Sequence, residues 1–160
     1  MVDDRIKWCF RQKGLVSLVA PNKNLAEGYL KKAEIAIEEI KNVKSNEWKI
    51  ETAYYGIYHS IYALLIRTGL KSELHMCTIS FVLEMFSDYF DEKEILVLKN
   101  SRENRKSSMY YVNTNIKDED LKDLVLFAPK IFAKCKQILS ELNQRKIESF
   151  LNKIRLLKNG

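Results

Sequence analysis

The sequence has little of what interrupts a chain or cross-links it. Its 160 residues include only five glycines, two prolines and three cysteines. Because glycine and proline mark turns and interrupt helices, their scarcity and the lack of strand-like alternation favour long helices. The cysteines, Cys9, Cys77 and Cys135, are odd in number and form no Cys-x-x-Cys pair. We therefore predict neither a disulfide framework nor a zinc site.

No segment of the sequence is typical of a membrane span or a signal peptide. The first residues carry acids where a signal peptide would carry bases, so we predict a cytoplasmic protein with no membrane partner. The apolar fraction of 46% and the charged fraction of 30% are those of a globular protein. A chain of this length fits one domain, residues 1–160, able to bury a core without metals or disulfides.

One apolar segment, Ile50–Leu70, is the centre of the predicted fold. Its only charged residues are Glu51 and Arg67, and apolar or aromatic side chains point in almost every direction of a helical projection. A helix of that kind is buried by neighbours on several sides. It is too short and too rich in hydroxyl groups to favour lipid. We predict that this central helix starts at Ser45 and ends at Gly69.

Capping signals and 3.6-residue periodicity predict further helices on both sides of the central one. Residues 1–21 are predicted to be a lead-in segment and residues 143–160 a basic C-terminal helix end. Pro129 implies a kink or a break in the last helix. The sequence therefore predicts an all-α, up-and-down bundle of about five helices. The other predicted helix starts are Asn24, with Glu27 completing its cap, the region near Ser72, Asp91 with Glu94, and Asp118.

Positive charge is concentrated in two parts of the chain. The formal net charge is +6, and residues 129–160 hold eight lysines and arginines against two glutamates, which equals the whole excess. Residues 99–106 add four bases and one acid. Such asymmetry is compatible with a polyanionic partner such as RNA. Solvated helix faces would explain the same charges.

The polar segment before two adjacent tyrosines is the candidate site. Residues 99–108 contain no apolar residue, and Arg102, Arg105 and Lys106 come shortly before Tyr110 and Tyr111. Guanidinium groups bind phosphate through paired hydrogen bonds, and tyrosine rings stack on bases. The segment is therefore a candidate site for RNA or a nucleotide, with a solvent-facing helix end as the alternative.

In order and spacing, these segments resemble the HEPN domains of prokaryotic toxin–antitoxin, defence and CRISPR proteins. The resemblance is carried by Ala53-Tyr-Tyr-Gly-Ile-Tyr-His59, by His75 ahead of Ile79, and by Arg105-Lys-Ser-Ser-Met-Tyr110. It implies a helical bundle, a homodimer and, as a frequent partner, a small nucleotidyltransferase antitoxin. It also implies a ribonuclease in which arginine and histidine promote cleavage by the RNA's own 2′-hydroxyl, without metal or cofactor.

The chain departs from that family pattern after Arg105, where no histidine follows and Tyr110 takes its place. Tyrosine, with an ordinary pKa of about 10, is a poor general base at neutral pH. Arg105 and Tyr110 are the predicted catalytic pair, and the missing histidine predicts slow cleavage by this pair. Non-catalytic partnership with a nucleotidyltransferase and an inert helical protein are the alternatives. The remaining predictions concern Arg102, Lys106 and Tyr111 as nucleic-acid-binding residues, His59 as a core histidine, and His75 as a helix-starting residue.

Overall fold

A computed structural model of the chain describes residues 4–110 and 116–160; of residues 108–110 it describes only the backbone. This described part contains seven α-helices and one two-stranded antiparallel sheet, which confirms the all-α class with more helices than predicted. None of its helices is long and apolar enough to cross a membrane. The elements are α1 (Asp4–Phe10), β1 (Val16–Leu18), α2 (Lys23–Glu39), α3 (Asn46–Thr68), β2 (Leu70–Ser72), α4 (His75–Phe86), α5 (Glu92–Tyr110), α6 (Asp118–Glu141) and α7 (Gln144–Asn159).

Helix α3 is the centre of the molecule, as the sequence predicted. It contacts α2, α4, α5, α6 and α7, and fourteen of its 23 residues are buried. The Ser45 hydroxyl caps its start by accepting the Trp48 N–H at 3.2 Å. Gly69 ends it in the left-handed conformation at φ +94°. Both boundaries confirm the predictions made from local sequence.

Two of the other predicted helix starts lie at slightly different positions in the structure. Asn22 caps α2, accepting the Leu25 N–H at 2.9 Å, so the prediction that Asn24 is the cap was wrong. Helix α4 begins at His75, not near Ser72, because residues 70–72 pair as strand β2. The backbone of Ser72 is extended in the sheet, so the helix can start only after it.

The Asp91–Glu94 start of α5 is confirmed as a reciprocal capping box. The Glu94 carboxylate accepts the Asp91 N–H at 2.9 Å, and the Asp91 carboxylate accepts the Glu94 N–H at 2.8 Å. Lys134 of α6 also donates to Glu94 at 2.7 Å. Glu94 is buried, so loss of Lys134 would leave an unpaired carboxylate at the junction of α5 and α6, which is costly.

The last predicted helix is two helices, but the break does not lie at Pro129. Helix α6 continues through Pro129, although proline has no N–H to donate to the Val125 carbonyl. The chain leaves the helical conformation at Leu142, and Asn143 then caps α7 by accepting the Lys146 N–H at 2.9 Å. The strong N-cap therefore determines the boundary, whereas the packing of α6 tolerates the proline.

The lead-in segment has more structure than the sequence indicated. It contains α1 and β1, and β1 pairs antiparallel with β2, with Val16 opposite Ser72. Strands of three residues are too short to produce a recognisable alternation in the sequence. The pairing holds the start of the chain against the end of α3.

The prediction that no disulfide forms was wrong. Cys9 of α1 and Cys77 of α4 are joined by a disulfide that closes a separation of 68 residues, and Cys135 is the free, buried cysteine. The separation carries no local spacing signal, so the pairing is visible only in the fold. Structural disulfides are rare in reducing compartments. The disulfide therefore does not support the predicted cytoplasmic location.

Candidate functional site

Helices α3, α4 and α5 meet around a polar cluster formed by Glu51, Tyr54, His75 and Arg105, called here the Arg105 cluster. The Arg105 Nε donates to both Glu51 carboxylate oxygens, at 3.0 and 3.3 Å. The centre of its guanidinium lies 5.4 Å from the centroid of the Tyr54 ring, within cation–π range. Arg105 is therefore held in position by a carboxylate and an aromatic face, and about a quarter of its side chain is exposed.

The second half of the Arg105 cluster is a stack of rings beside a short hydrogen bond. The Tyr54 hydroxyl and the His75 Nδ1 are 2.6 Å apart. The Tyr58 ring lies against the imidazole, with centroids 3.9 Å apart and planes inclined by 12°. Because the Thr78 hydroxyl donates to the Leu74 carbonyl, Tyr58 donates its own hydroxyl proton to Thr78 at 3.3 Å. The orientation of His75 is thus fixed on one edge and one face.

Burial sets the protonation states in this cluster at neutral pH. Desolvation raises the pKa of Tyr54 and of Tyr58, so both phenols keep their protons. Burial also lowers the pKa of His75, and the charges of Arg105 and Arg102 lower it further. The cluster therefore presents a neutral imidazole together with the guanidinium of Arg105. A neutral imidazole is the form that can accept a proton.

His75 and His59 should make the stability of the protein depend on pH. Burial lowers the pKa of both imidazoles in the folded state, so below the ordinary value of about 6.5 the unfolded chain binds more protons. We expect the free energy of unfolding to fall as the pH drops from 7.5 to 5.5. Urea titrations should show a smaller fall for His59→Gln and His75→Gln than for the wild type. Equal falls in all three proteins would contradict the assignment.

The predicted site residues are not all part of this cluster. Arg102 lies one turn before Arg105 on α5 and lines a separate groove of about 610 Å³, where its Nη1 is 3.0 Å from the Glu103 carboxylate. Lys106 follows Arg105 and is partly buried. Tyr110 is the last residue of α5, but its side chain is outside the described part, and Tyr111 is outside it entirely. Any contact between Arg105 and Tyr110 stays a prediction.

His59 is a core histidine, as the sequence predicted. It is 8% exposed, and its Nδ1 donates to the Tyr55 carbonyl at 2.9 Å. The rings of Tyr55 and Tyr29 lie 3.9 and 5.6 Å from it, centroid to centroid. This burial lowers the pKa of the His59 imidazole. His59 therefore has a local structural role, whereas His75 is the histidine nearer the arginines.

Sequence reasoning missed three members of the cluster. His75 does start α4 and Tyr54 is buried, as the sequence predicted, but neither they nor Glu51 were predicted to be site residues. One signal was present, since Glu51 is the only acid in the apolar segment and so needed a partner. In the part of the chain that the structure describes, no group of three or more His, Cys, Asp and Glu residues could hold a metal ion.

Comparison of the chain with protein-family models and with curated protein sequences gives no match.

Proposed function

We propose that this chain is a HEPN-type RNA-binding protein that cleaves RNA at the Arg105 cluster, with His75 in the place of the histidine missing after Arg105. The observation that carries the proposal is the convergence of Arg105, Tyr54 and His75 from three helices. A fixed guanidinium suits a phosphate, and a neutral imidazole suits proton transfer. The resemblance of the sequence to HEPN domains supports the same chemistry.

The proposed reaction needs a base, an acid and a positive charge near one phosphate. His75 accepts the proton of the ribose 2′-hydroxyl as its oxygen forms a bond to phosphorus. The bond from phosphorus to the 5′-oxygen then breaks, and that oxygen takes the proton back from the imidazolium. Arg105 stabilises the negative charge that grows on the phosphate oxygens. The products are a 2′,3′-cyclic phosphate and a 5′-hydroxyl end, and no metal or cofactor takes part.

His75 suits the role of base better than Tyr110 does. Its lowered pKa leaves the imidazole unprotonated at neutral pH, whereas a tyrosine hydroxyl rarely loses its proton there. When Nδ1–H donates to the Tyr54 oxygen, Nε2 is left to accept the proton of the substrate. Tyr54 then acts as the positioning residue of the imidazole, as the second partner of a catalytic histidine commonly does.

The proposal extends to the setting of the protein. A homodimer with a small nucleotidyltransferase antitoxin, in a toxin–antitoxin or defence system, is what the HEPN resemblance implies. Such a ribonuclease would act in the cytoplasm, where the Cys9–Cys77 disulfide would be unusual outside hyperthermophiles. Lys106 and Tyr111 would then contact RNA beside the arginines, with Tyr110 as a stacking residue.

The test is incubation of the purified protein with labelled single-stranded RNA in EDTA. We expect cleavage by the wild type and a loss of about 100-fold or more in rate for Arg105→Ala and for His75→Gln. Tyr110→Phe should cleave at nearly the wild-type rate. Lys146→Gln removes the same charge as Arg105→Ala from an exposed position on α7 and should leave the rate unchanged.

The outcomes of this experiment separate the candidate assignments. Full activity of His75→Gln would overturn the role of His75, and loss in Tyr110→Phe alone would return the role to Tyr110. Circular dichroism of each variant checks that the fold persists. Arg105→Lys keeps the charge that balances Glu51 but has no guanidinium, so it should bind RNA and cleave it poorly.

A second function, a non-catalytic subunit that binds a nucleotidyltransferase, is favoured by one surface. Ile35, Trp48 and Tyr55 are 51%, 56% and 43% exposed around a groove of about 420 Å³ between α2 and α3. Exposed tryptophan and tyrosine are typical of protein–protein interfaces. Intact RNA in every lane, together with a stable complex with a small nucleotidyltransferase on gel filtration, would favour this function over the first.

A further inference from the structure

Another pocket lies at the end of α3 opposite Glu51. Arg67, which lines it, is about 24 Å from Glu51 along the helix axis, at 1.5 Å per residue. Its volume is about 330 Å³, at the small end of the range of ligand sites. It is bounded by the first turns of α2, the last turn of α3 and the C-terminal half of α6. Its lining residues are Lys23, Ala26, Glu27, Leu30, Arg67, Lys136, Leu139, Ser140 and Leu142.

Three cations from three helices border this pocket, against one acid, Glu27. Arg67 belongs to α3, Lys23 to α2 and Lys136 to α6. The ion pairs found among the described residues include none of these three cations. Among its lining residues the pocket therefore has an excess of positive charge, three cations against one carboxylate. An anion is the ligand that such a pocket would attract.

Arg67 is the most informative of the three. It is one of only two charged residues in the apolar segment Ile50–Leu70, and the other, Glu51, is explained by its ion pair with Arg105. Arg67 is partly buried, unlike Lys23 and Lys136, which are exposed. A guanidinium held at the edge of a core presents a planar set of donors that matches phosphate oxygens. Packing of α3 alone does not require a guanidinium at this position, so Arg67 is the residue most indicative of a ligand.

The start of α2 adds to the positive potential. Lys23 is the first residue of α2 and lines the pocket, and the first turn of this helix contains no acid. The N-terminus of a helix carries a partial positive charge that favours anions. Asn22 satisfies the Leu25 N–H, so the cap leaves the N–H groups of Lys23 and Asn24 without a partner inside the helix. This feature strengthens the anion preference set by the three side chains.

The remaining lining is apolar and limits the size of the ligand. Ala26, Leu30, Leu139 and Leu142 form that part of the lining, and Ala26 and Leu142 are buried. A pocket of this volume holds one small molecule and not a length of polymer. An apolar wall beside cations suits a phosphate attached to a short carbon group as well as a free phosphate.

We propose that this pocket, lined by Arg67, Lys23 and Lys136, binds a small phosphate compound, either inorganic phosphate or a low-molecular-weight phosphate monoester. The site is separate from the Arg105 cluster and does not depend on RNA cleavage. Arg67 pairs with two phosphate oxygens, and the two lysines balance the remaining charge. The apolar wall contacts the carbon group where there is one.

Isothermal titration of the full-length protein with glycerol 3-phosphate, inorganic phosphate and glycerol tests the proposal. We expect saturable binding of glycerol 3-phosphate, none of glycerol, and a loss of affinity of about tenfold or more in Arg67→Gln. Lys136→Gln, at an exposed position, should weaken binding without any effect on folding. Lys44→Gln removes one exposed charge next to the start of α3, at the opposite end of that helix from Arg67, and this variant should bind as the wild type does.

Each result counts for or against the site. Tighter binding of the ester than of inorganic phosphate would identify a monoester as the ligand, and equal binding would identify phosphate itself. No saturable binding of either, or binding that persists unchanged in both Arg67→Gln and Lys136→Gln, would overturn the proposal. Thermal melts of the variants show whether a loss of binding reflects a loss of fold.

Discussion

Replacing both Cys9 and Cys77 by alanine is expected to lower the free energy of unfolding by about 4 kcal/mol. The disulfide joins residues 68 positions apart, and closing a loop of that length removes much conformational freedom from the unfolded chain. Both cysteines are fully buried, so the variant also leaves small gaps between α1 and α4. For a chain of this size the melting temperature should fall on the order of 10 °C.

Reduction provides the matched control for this variant. Dithiothreitol should lower the melting temperature of the wild type by a similar amount and leave the Cys9→Ala/Cys77→Ala protein unaffected. The protein should stay folded without the disulfide, because Phe10 of α1 still packs edge-on against Phe81 of α4, with ring centroids 5.1 Å apart. A wild-type melting curve that ignores the reductant would contradict the prediction.

A thiol count under denaturing, non-reducing conditions tests the disulfide directly. One alkylated cysteine, Cys135, is expected in the oxidised protein and three in the reduced one. In the folded protein Cys135 should react slowly, since its side chain is fully buried and burial raises the pKa of its thiol. Three reactive thiols in protein purified under oxidising conditions would show that the pair does not form.

What the sequence predicts well is what a few neighbouring residues decide. The buried character of α3, its start at Ser45 and its end at Gly69 follow from local apolar content and capping chemistry. The capping box at Asp91 and Glu94 is of the same kind, since the four residues of one turn contain both partners. Such features survive in any fold that the helix joins.

What the sequence misses depends on partners that are distant along the chain. Glu51 and Arg105 are 54 residues apart, and the Cys9–Cys77 pair spans more. Neither pairing has a spacing rule, because the packing of α5 on α3 brings Arg105 to Glu51 and the packing of α1 on α4 brings Cys9 to Cys77. The sequence predicted a kink or a break at Pro129, but α6 continues through it for a different reason. The proline removes one hydrogen bond, and the burial of Ala128 and Ile131 on either side maintains the helix.

The same reasoning explains why the proposed site differs from the predicted one. The HEPN resemblance pairs Arg105 with Tyr110, which takes the place of the motif's histidine, although residues five apart on a regular helix point to different faces. In the fold, Arg105 contacts Glu51 and Tyr54 of α3, and His75 is the titratable group beside them. A histidine supplied by another helix can satisfy the geometry that a linear motif describes. A search by motif alone would not find a histidine that lies on a different helix.

Gly69→Ala is expected to destabilise the protein by roughly 3 kcal/mol, the sum of backbone strain and overpacking. Gly69 has φ +94°, where a residue with a side chain is strained. A Cβ at this position would lie 2.7 Å from the Val19 carbonyl oxygen and 3.1 Å from the Leu151 Cδ2. The backbone at Val19 cannot retreat easily, because its N–H donates to the Gly69 carbonyl at 2.9 Å.

Gly14→Ala separates the two contributions, because Gly14 also has a positive φ, +80°, but open space where its Cβ would lie. It should lose only the strain, about 1–2 kcal/mol. Urea denaturation gives the free energy of unfolding of both variants. The difference between the two losses is the cost of the contact between the new Cβ and the Val19 backbone. Equal losses would mean that the chain at Val19 moves away at little cost, and that the β1–β2 pairing does not hold the end of α3 rigidly. A larger loss for Gly69→Ala would show that this pairing fixes the end of the helix on which Arg67 is placed.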